Sequence, residues 1–180
     1  MNFLAISGSL RAASLNSALL RATARLVPPG ISVQLFQGLG DLPLFNPDIE
    51  ETDPLSVATL RNQIIAADAL IIASPEYAHG ITGVLKNALD WLVSSEAFVN
   101  KPVALFNASP LSVHAHASLR EVVTVMSARV VDESSIALPV RGSRLDEDGI
   151  YDEPNMSASI REALLALACA VTAFRDEQAT

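Results

Sequence analysis

The sequence has a single cysteine, Cys169, among its 180 residues, which excludes an internal disulfide framework. Cys169 lies within the apolar run 164–171, and this setting predicts a small buried hydrophobic side chain rather than a nucleophile. Only three histidines are present, and no third ligand accompanies His114 and His116. We therefore expect neither a disulfide bond nor a bound metal ion.

Basic side chains are outnumbered: 12 Lys and Arg residues oppose 20 Asp and Glu residues, giving a net charge of −8 at pH 7. A field of this sign repels the phosphates of nucleic acids and anionic lipids, so we expect no nucleic-acid or membrane partner. The chain also lacks an uninterrupted apolar run of about 18 residues and a signal-type N-terminus. These absences predict a cytoplasmic protein.

Charged residues make up only 18% of the chain, below the typical value of about 25%, whereas apolar residues make up 50%. This balance excludes a disordered chain of low hydrophobicity and high charge. The shortage of charge favours a surface that is buried against another subunit. A small alanine-rich protein with a modest polar coat is the alternative.

Two kinds of apolar segment alternate along the chain. Short apolar runs that end in turn residues are typical of strands buried in a parallel sheet, and they occur at 2–6, 31–36, 69–73, 102–106 and within 129–138. Apolar residues spaced by three and four are typical of helices, and they occur at 15–26, 55–66, 83–92, 115–126 and 160–174. The stretches 37–53 and 141–154 are rich in turn or polar residues, which predicts loops.

Strands that alternate with helices predict parallel pairing through right-handed crossovers. We therefore expect one α/β domain over residues 1–180, with the flavodoxin-like doubly wound fold: five parallel strands in the order 2-1-3-4-5 and helices on both faces. Ligands of such sheets bind beyond the carboxyl ends of the strands, here between the first and third strands. The loops to examine are therefore 7–14 and 74–82, with 107–116 beside them.

The loop after the first strand combines backbone N–H groups at a helix N-terminus with several polar side chains. These side chains are Ser9, Arg11, Ser14, Asn16 and Ser17. Short donors, a helix dipole and a planar cation are what a phosphate monoester requires. A helix cap formed by Ser14 or Asn16 is the alternative. One glycine and no Gly-Lys-Ser/Thr exclude the nucleoside triphosphate loop and the three-glycine dinucleotide fingerprint.

The loop after the third strand, residues 74–83, contains a proline that fixes a turn, backbone donors and the aromatic Tyr77. These features suit a flat heterocycle with imide edges, and an ordinary loop with Tyr77 packed on the core is the alternative. His79 is a candidate acid or base, with a plain surface residue as the alternative. No side chain is assigned as a catalytic acid.

Together the two loops resemble the NADPH-dependent FMN reductase family of flavodoxin-like proteins, which includes quinone, azo-dye and chromate reductases. The resemblance covers most of the chain, and it is strongest at 8–11 with Ser14 and Asn16, at 75–77 and at 83–91. Residues 42–48 are similar to the family's second-strand loop, which tends to lie at the dimer interface.

The resemblance implies the position of an FMN cofactor. Its phosphate would lie on Ser9, Arg11, Ser14, Asn16 and Ser17. Its ring would lie against Pro75, Glu76, Tyr77 and Ala78, with Ser109 along the other edge. The resemblance further implies a homodimer or homotetramer that passes hydride from NADPH or NADH to the flavin and then reduces a flavin, quinone or similar small-molecule acceptor in a ping-pong sequence. A flavodoxin-like electron carrier, and a non-enzymatic binding dimer with lost or weak flavin binding, are the alternatives.

Three departures from the family pattern bear on this expectation. Ala78 stands where the family usually has Asn, Thr82 stands where it usually has Pro, and 112–116 is bulky where the family is commonly glycine-rich. We expect weaker FMN retention or an altered choice of acceptor as the result. Arg144 is a candidate contact for a 2′-phosphate, with an exposed surface arginine as the alternative.

Overall fold

Six parallel strands form one sheet within residues 1–143 and 145–178, which are the residues described by the computed structural model. The strands are β1 (Asn2–Ser7), β2 (Ser32–Leu35), β3 (Ala69–Ala73), β4 (Pro102–Asn107), β5 (Arg129–Val130) and β6 (Ile136–Ala137). Their order is β2-β1-β3-β4-β5, and β6 also pairs with β4. The predicted order 2-1-3-4-5 is therefore confirmed.

The predicted fifth strand is split into two short pieces along β4. Val130 pairs with Val103 near the start of β4, whereas Ile136 pairs with Phe106 near its end. A short 3-10 turn at Asp132–Ser134 separates the two pieces. Between them, the Ser135 hydroxyl accepts a hydrogen bond from the Leu105 N–H at 3.1 Å, so a side chain replaces the missing backbone acceptor of a continuous strand.

Seven helices lie in the described ranges and account for most of the connections between strands. They are α1 (Leu15–Arg25), α2 (Leu55–Ala66), α3 (Gly83–Asp90), α4 (Val113–Val125), α5 (Val140–Ser143), α6 (Glu147–Asp152) and α7 (Pro154–Gln178). The helix predicted at 55–66 is confirmed with both bounds. The loop predicted at 141–154 is wrong, because α5 and α6 occupy most of it.

The acidic residues of that segment explain the error. Asp146 caps α6 by accepting a hydrogen bond from the Gly149 N–H at 3.0 Å. Glu147 pairs with Arg21 at 2.7 Å, so α6 is fixed to α1 by ion pairs that join residues far apart in sequence. The many acidic residues of this segment predicted an exposed loop. In the structure the Asp146 carboxylate caps α6, and the Glu147 carboxylate contacts α1.

Helices cover both faces of the sheet, as expected for a doubly wound fold. Successive strand residues point to opposite faces, so Phe3 and Ala5 pack with α1 and α7, whereas Leu4 and Ile6 pack with α2, α3 and α4. Every residue of the central strands β3 and β4 is buried. Burial on both faces explains why these strands were continuous apolar runs in the sequence.

The C-terminal helix α7 bears on two expectations, the absence of a membrane-spanning segment and the burial of Cys169, and it overturns the second. An 18-residue window within Pro154–Glu177 has a mean hydropathy of 1.4, so this segment is long and apolar enough to cross a membrane by length and composition alone. The stripe containing Ile160, Leu164, Leu167 and Val171 packs into the core, and core helices pass the same test. Cys169 was predicted to be buried but is exposed, because it lies two residues beyond Leu167 and off this stripe.

Side chains of α3 hold the long loop between β2 and α2. The Asn87 Oδ1 accepts from the Phe45 N–H at 2.7 Å, and its Nδ2 donates to the Pro43 carbonyl at 2.9 Å. The Trp91 indole donates to the same carbonyl at 2.8 Å and packs edge-on against the Phe45 ring at 5.1 Å. These contacts fix the loop while Leu44 between them stays 84% exposed.

We expect Asn87→Ala to lower the free energy of unfolding by about 1–3 kcal/mol, because the Phe45 N–H loses its acceptor. Denaturant unfolding measures this change. The control is Lys86→Ala, which removes only an exposed ion pair with Asp90 and should change stability by about 0.5 kcal/mol or less. Equal effects of the two substitutions would contradict the anchoring role of Asn87.

Candidate functional site

A cavity of about 370 Å³ opens at the carboxyl ends of β1, β3 and β4, where the topology predicts a ligand site. This volume lies within the range of about 300–1,000 Å³ that is typical of small-molecule sites. Eight of the ten candidate residues line it: Ser9, Arg11, Ser14, Asn16, Pro75, Glu76, Tyr77 and Ser109. The structure therefore brings the two predicted loops together around one space.

The other two candidates, Ser17 and Ala78, are not among the residues that line this cavity. The Ser17 hydroxyl is hydrogen-bonded to the Ser7 hydroxyl at 2.7 Å and borders an adjoining cavity of about 410 Å³. Ala78 lies at the exposed tip of the loop after β3. Arg144 lies outside the described residues.

Two candidate residues of the first loop also have structural tasks. Ser14 is the N-cap of α1, and its hydroxyl accepts from the Ser17 N–H at 3.3 Å. The Asn16 Oδ1 accepts from the Ala108 N–H at 3.2 Å, which ties α1 to the loop after β4. A helix cap was the alternative for both residues, and it is observed for Ser14. Ser14 and Asn16 both line the cavity as well.

The start of α1 carries unused backbone donors. Within residues 1–143 and 145–178, the N–H groups of Ala13, Leu15 and Asn16 donate no hydrogen bond, and all three residues line the cavity. Helix N-termini attract anions because such N–H groups and the helix dipole point at them. The Arg11 guanidinium lines the same space. This donor set fits a phosphate monoester.

Gly8 allows the two loops to approach each other. A Cβ atom at this position would lie 2.9 Å from the Ser74 hydroxyl oxygen and 3.1 Å from a Leu85 methyl group, so a larger residue does not fit. The Gly8 N–H donates to the Ala73 carbonyl at 2.7 Å. The Thr82 hydroxyl donates to the Gly8 carbonyl at 2.5 Å and caps α3. Thr82, where the family usually has Pro, thus supplies a direct link between the loops.

The loop after β3 ends in a tight two-residue turn. Tyr77 and Gly80 exchange two backbone hydrogen bonds, of 3.1 and 3.0 Å, around Ala78 and His79. Ala78 has φ +49° and His79 has φ +60°, a left-handed conformation that suits Asn and Gly better than these residues. The Tyr77 side chain is held beside the cavity and the residue is 61% exposed, so the alternative of core packing is wrong.

Glu76 joins this loop to α4. Its Oε2 accepts from the Ala115 N–H at 3.0 Å, while Ser112, the residue before α4, makes no capping bond with its side chain. This cap helps α4 begin at Val113, so His114 and His116 are helical rather than in a loop as predicted. The Ala115 N–H, and to a smaller extent the His114 N–H and the nearby imidazoles, lower the pKa of Glu76 against an opposing effect of burial.

Five residues that line the cavity were missed from the sequence: Ala13, Leu15, Ala108, Ser112 and Arg141. Arg141 is the most informative, because it adds a second guanidinium. Its N–H donates to the Ala108 carbonyl at 3.1 Å, which places α5 beside the loop after β4. The sequence did place Arg141 just after the fifth strand, and the carboxyl end of that strand adjoins the carboxyl end of the fourth. This position could have marked Arg141 as a candidate cavity residue.

Charge around the cavity differs from that of the whole chain. Its described lining holds Arg11 and Arg141 against a single carboxylate, Glu76, which is already hydrogen-bonded to α4. The site is thus locally positive in a chain of net charge −8.

His116 lies away from this cavity and is half-buried. Its pKa is lowered mainly by burial and, to a smaller extent, by the positive charge of Arg120. No group of three metal-ligating side chains occurs among the described residues.

Comparisons with known proteins bear on what this cavity binds. The model of a family described as NADPH-dependent FMN reductase matches residues 1–141. An NAD(P)H-dependent FMN reductase from Pseudomonas aeruginosa is 35% identical over 170 residues, 91% of each chain. A quinone reductase from Escherichia coli is 31% identical over 147 residues, 77% of this chain and 78% of that protein. The structure of FerB, a flavoenzyme NAD(P)H:(acceptor) oxidoreductase from Paracoccus denitrificans, superposes with a TM-score of 0.67 at 26% identity, covering 97% of this chain and 95% of that one.

We expect Glu76→Gln to destabilise the protein at neutral pH and to lose this effect in acid. Because the folded state lowers the pKa of Glu76 below its ordinary value of 4.5, the carboxylate stabilises the fold above that pH. The contribution disappears as the pH falls through the lowered value. Denaturant unfolding of both proteins at neutral pH and well below pH 4.5 measures this. Glu121→Gln, on the exposed side of α4, is the control, and a pH-independent effect of Glu76→Gln would contradict the capping role.

Proposed function

Because this chain belongs to the NADPH-dependent FMN reductase family and is an NAD(P)H-dependent flavin oxidoreductase of quinone-like acceptors, we propose that the cavity between the loops after β1 and β3 is its FMN site. The single observation that carries this assignment is the set of unpaired N–H groups of Ala13, Leu15 and Asn16. They converge with Arg11 and Arg141 on one space. A phosphate dianion would satisfy these donors and balance both guanidinium charges.

At the phosphate end, the remaining candidate residues have distinct tasks in this proposal. The Ser9 hydroxyl accepts from the Arg11 N–H at 3.3 Å, which shapes the loop that presents the guanidinium. Asn16 uses its Oδ1 on Ala108, so its amide N–H groups remain for the ligand. Ser17 lies outside the cavity lining, and its bond to Ser7 supports the loop from behind.

At the other end, the flavin ring would lie against Pro75, Glu76 and Tyr77, with Ser109 along its far edge. The Glu76 N–H donates no hydrogen bond to the described residues and is free for a ring carbonyl. The side chain of Ala78 has no amide group, and Ala78 lies outside the cavity lining. The side-chain contact that Asn would offer to the ring is therefore missing. This absence supports the expectation of weaker FMN retention.

FMN, when bound, accepts hydride from NADPH or NADH and then delivers electrons to a second acceptor. The residues of this chain bind and orient the reactants and limit the access of water. We assign no side chain as a catalytic acid, and solvent would supply the proton. The relatives are reductases, so the flavodoxin-like carrier and the non-enzymatic dimer are not favoured. A flavin or a quinone is the proposed acceptor.

We further propose that the protein works as a homodimer or homotetramer in the cytoplasm. Leu44 and Leu55 are each 84% exposed and Val93 is 66% exposed, an apolar content that another subunit would cover. The loop that carries Leu44 is fixed by Asn87 and Trp91 before any partner binds. The lone, exposed Cys169 is consistent with a reducing compartment.

We expect Arg11→Ala to weaken FMN binding by about 1.5–3 kcal/mol, the contribution of a charge-assisted hydrogen bond. Titration of the flavin-free protein with FMN and with riboflavin measures the change. Riboflavin has no phosphate, so its affinity should be the same in both proteins. Loss of affinity for both flavins, or for neither, would contradict a phosphate contact by Arg11.

The proposed activity is tested by following NADH and NADPH oxidation with a panel of flavin and quinone acceptors on FMN-saturated protein. We expect turnover above that of free FMN, with parallel lines in a double-reciprocal plot, as a ping-pong sequence requires. Turnover no faster than that of free FMN with every acceptor would overturn the proposal. Stoichiometric flavin binding without turnover would indicate a carrier instead.

A further inference from the structure

Two imidazoles from different elements meet beside the cavity, and nothing in the proposed function uses them. His79 is in the turn after β3 and His114 is in the first turn of α4. Their ring centroids are 4.1 Å apart with an interplanar angle of 61°. Both residues are exposed. We call these two side chains the imidazole pair.

The pair lies beside Glu76, at the end of the cavity where the flavin ring is proposed to lie. One oxygen of this carboxylate caps α4, and the other lies 3.9 Å from the His79 Nδ1. A separation of 3.9 Å is too long for a hydrogen bond, so the His79 Nδ1 is not bonded to this carboxylate. Glu76 itself lines the cavity. The imidazoles therefore lie directly outside the cavity wall.

The backbone that presents His79 is strained. With φ +60° next to Ala78 at +49°, the turn places two residues with Cβ atoms in the left-handed region, which L-residues other than Asn rarely adopt. Asn or Gly would form the same turn with less strain. In this turn the His79 ring lies against the His114 ring.

The surroundings of the pair indicate the shape and charge of its ligand. Tyr77, Leu111 and Val113, which are within three residues of His79 or His114 in the sequence, are 61%, 81% and 57% exposed and offer apolar and aromatic surface. The only carboxylate in the described cavity lining is the one already bound to α4. Apolar surface beside imidazole N–H donors suits a flat aromatic molecule that carries an acceptor group such as a carboxylate.

We propose that the imidazole pair determines acceptor specificity: its N–H groups bind a carboxylate on a quinone-type acceptor whose ring lies against Tyr77. The inference rests on the proposed function, because the flavin ring must occupy the cavity for an acceptor to approach from this side. FMN phosphate would occupy the opposite end, at α1, and does not compete for these donors. The pair thus selects among acceptors without taking part in hydride transfer.

The test compares two acceptors that differ only in charge, a carboxylated 1,4-benzoquinone and its methyl ester, on FMN-saturated protein. We expect the wild-type protein to favour the carboxylate in kcat/KM, mainly through a lower KM. The double variant His79→Phe/His114→Phe keeps two aromatic rings but removes every N–H donor of the pair. The ratio of kcat/KM for carboxylate to ester should fall by about tenfold, the equivalent of about 1.4 kcal/mol.

His116→Phe is the matched control, because this imidazole is on the same helix but faces Arg120 and Asp132 rather than the cavity. It should leave the ratio unchanged. An unchanged ratio in the double variant, with FMN affinity and ester turnover retained, would overturn this inference alone. A wild-type preference for the ester would overturn it as well. Failure of the wild-type protein to bind FMN would overturn the proposed function and this inference with it.

Discussion

The site depends on the close approach of two loops at Gly8. A Cβ atom there would lie 2.9 Å from the Ser74 hydroxyl, and both backbone groups of Gly8 are bonded to the β3 side of the crevice. If the loops separated, the donors at the start of α1 and the turn at Tyr77 would no longer border the same cavity. One missing side chain therefore allows the loops after β1 and β3 to line one cavity, the proposed FMN site.

Glu76 is the second link on which the site depends. Its carboxylate replaces a local cap for α4 and draws that helix to the loop after β3. The same residue lines the cavity and lies next to His79, so Glu76 connects the cavity wall, the start of α4 and the imidazole pair. The pKa of Glu76 is lowered chiefly by the Ala115 N–H, which is consistent with the capping role of the ionised carboxylate.

Side-chain and backbone periodicity made most of the fold predictable. Strands β1, β3 and β4 are covered by helices on both faces of the sheet, so each appears in the sequence as a short apolar run. The spacing of apolar residues predicted both the first and the last residue of α2. Predictions failed where long-range contacts overrode local composition. The acidic segment after Arg141 became helical through ion pairs with α1, and Cys169 lies off the buried stripe of its helix.

The sequence by itself determined the strand order and the two loops of the crevice, because period and turn chemistry are local properties. The resemblance of those loops to a known family completed the set of candidates, eight of which line the cavity. Only the tertiary structure decided that Arg141 reaches the same cavity, that Ser17 supports the loop from behind, and that His79 meets His114. Each of these depends on how separate elements pack in space. Packing brings Ser9 and Arg141, which are 132 positions apart in the sequence, to the same cavity. Local sequence patterns do not predict contacts between residues so far apart.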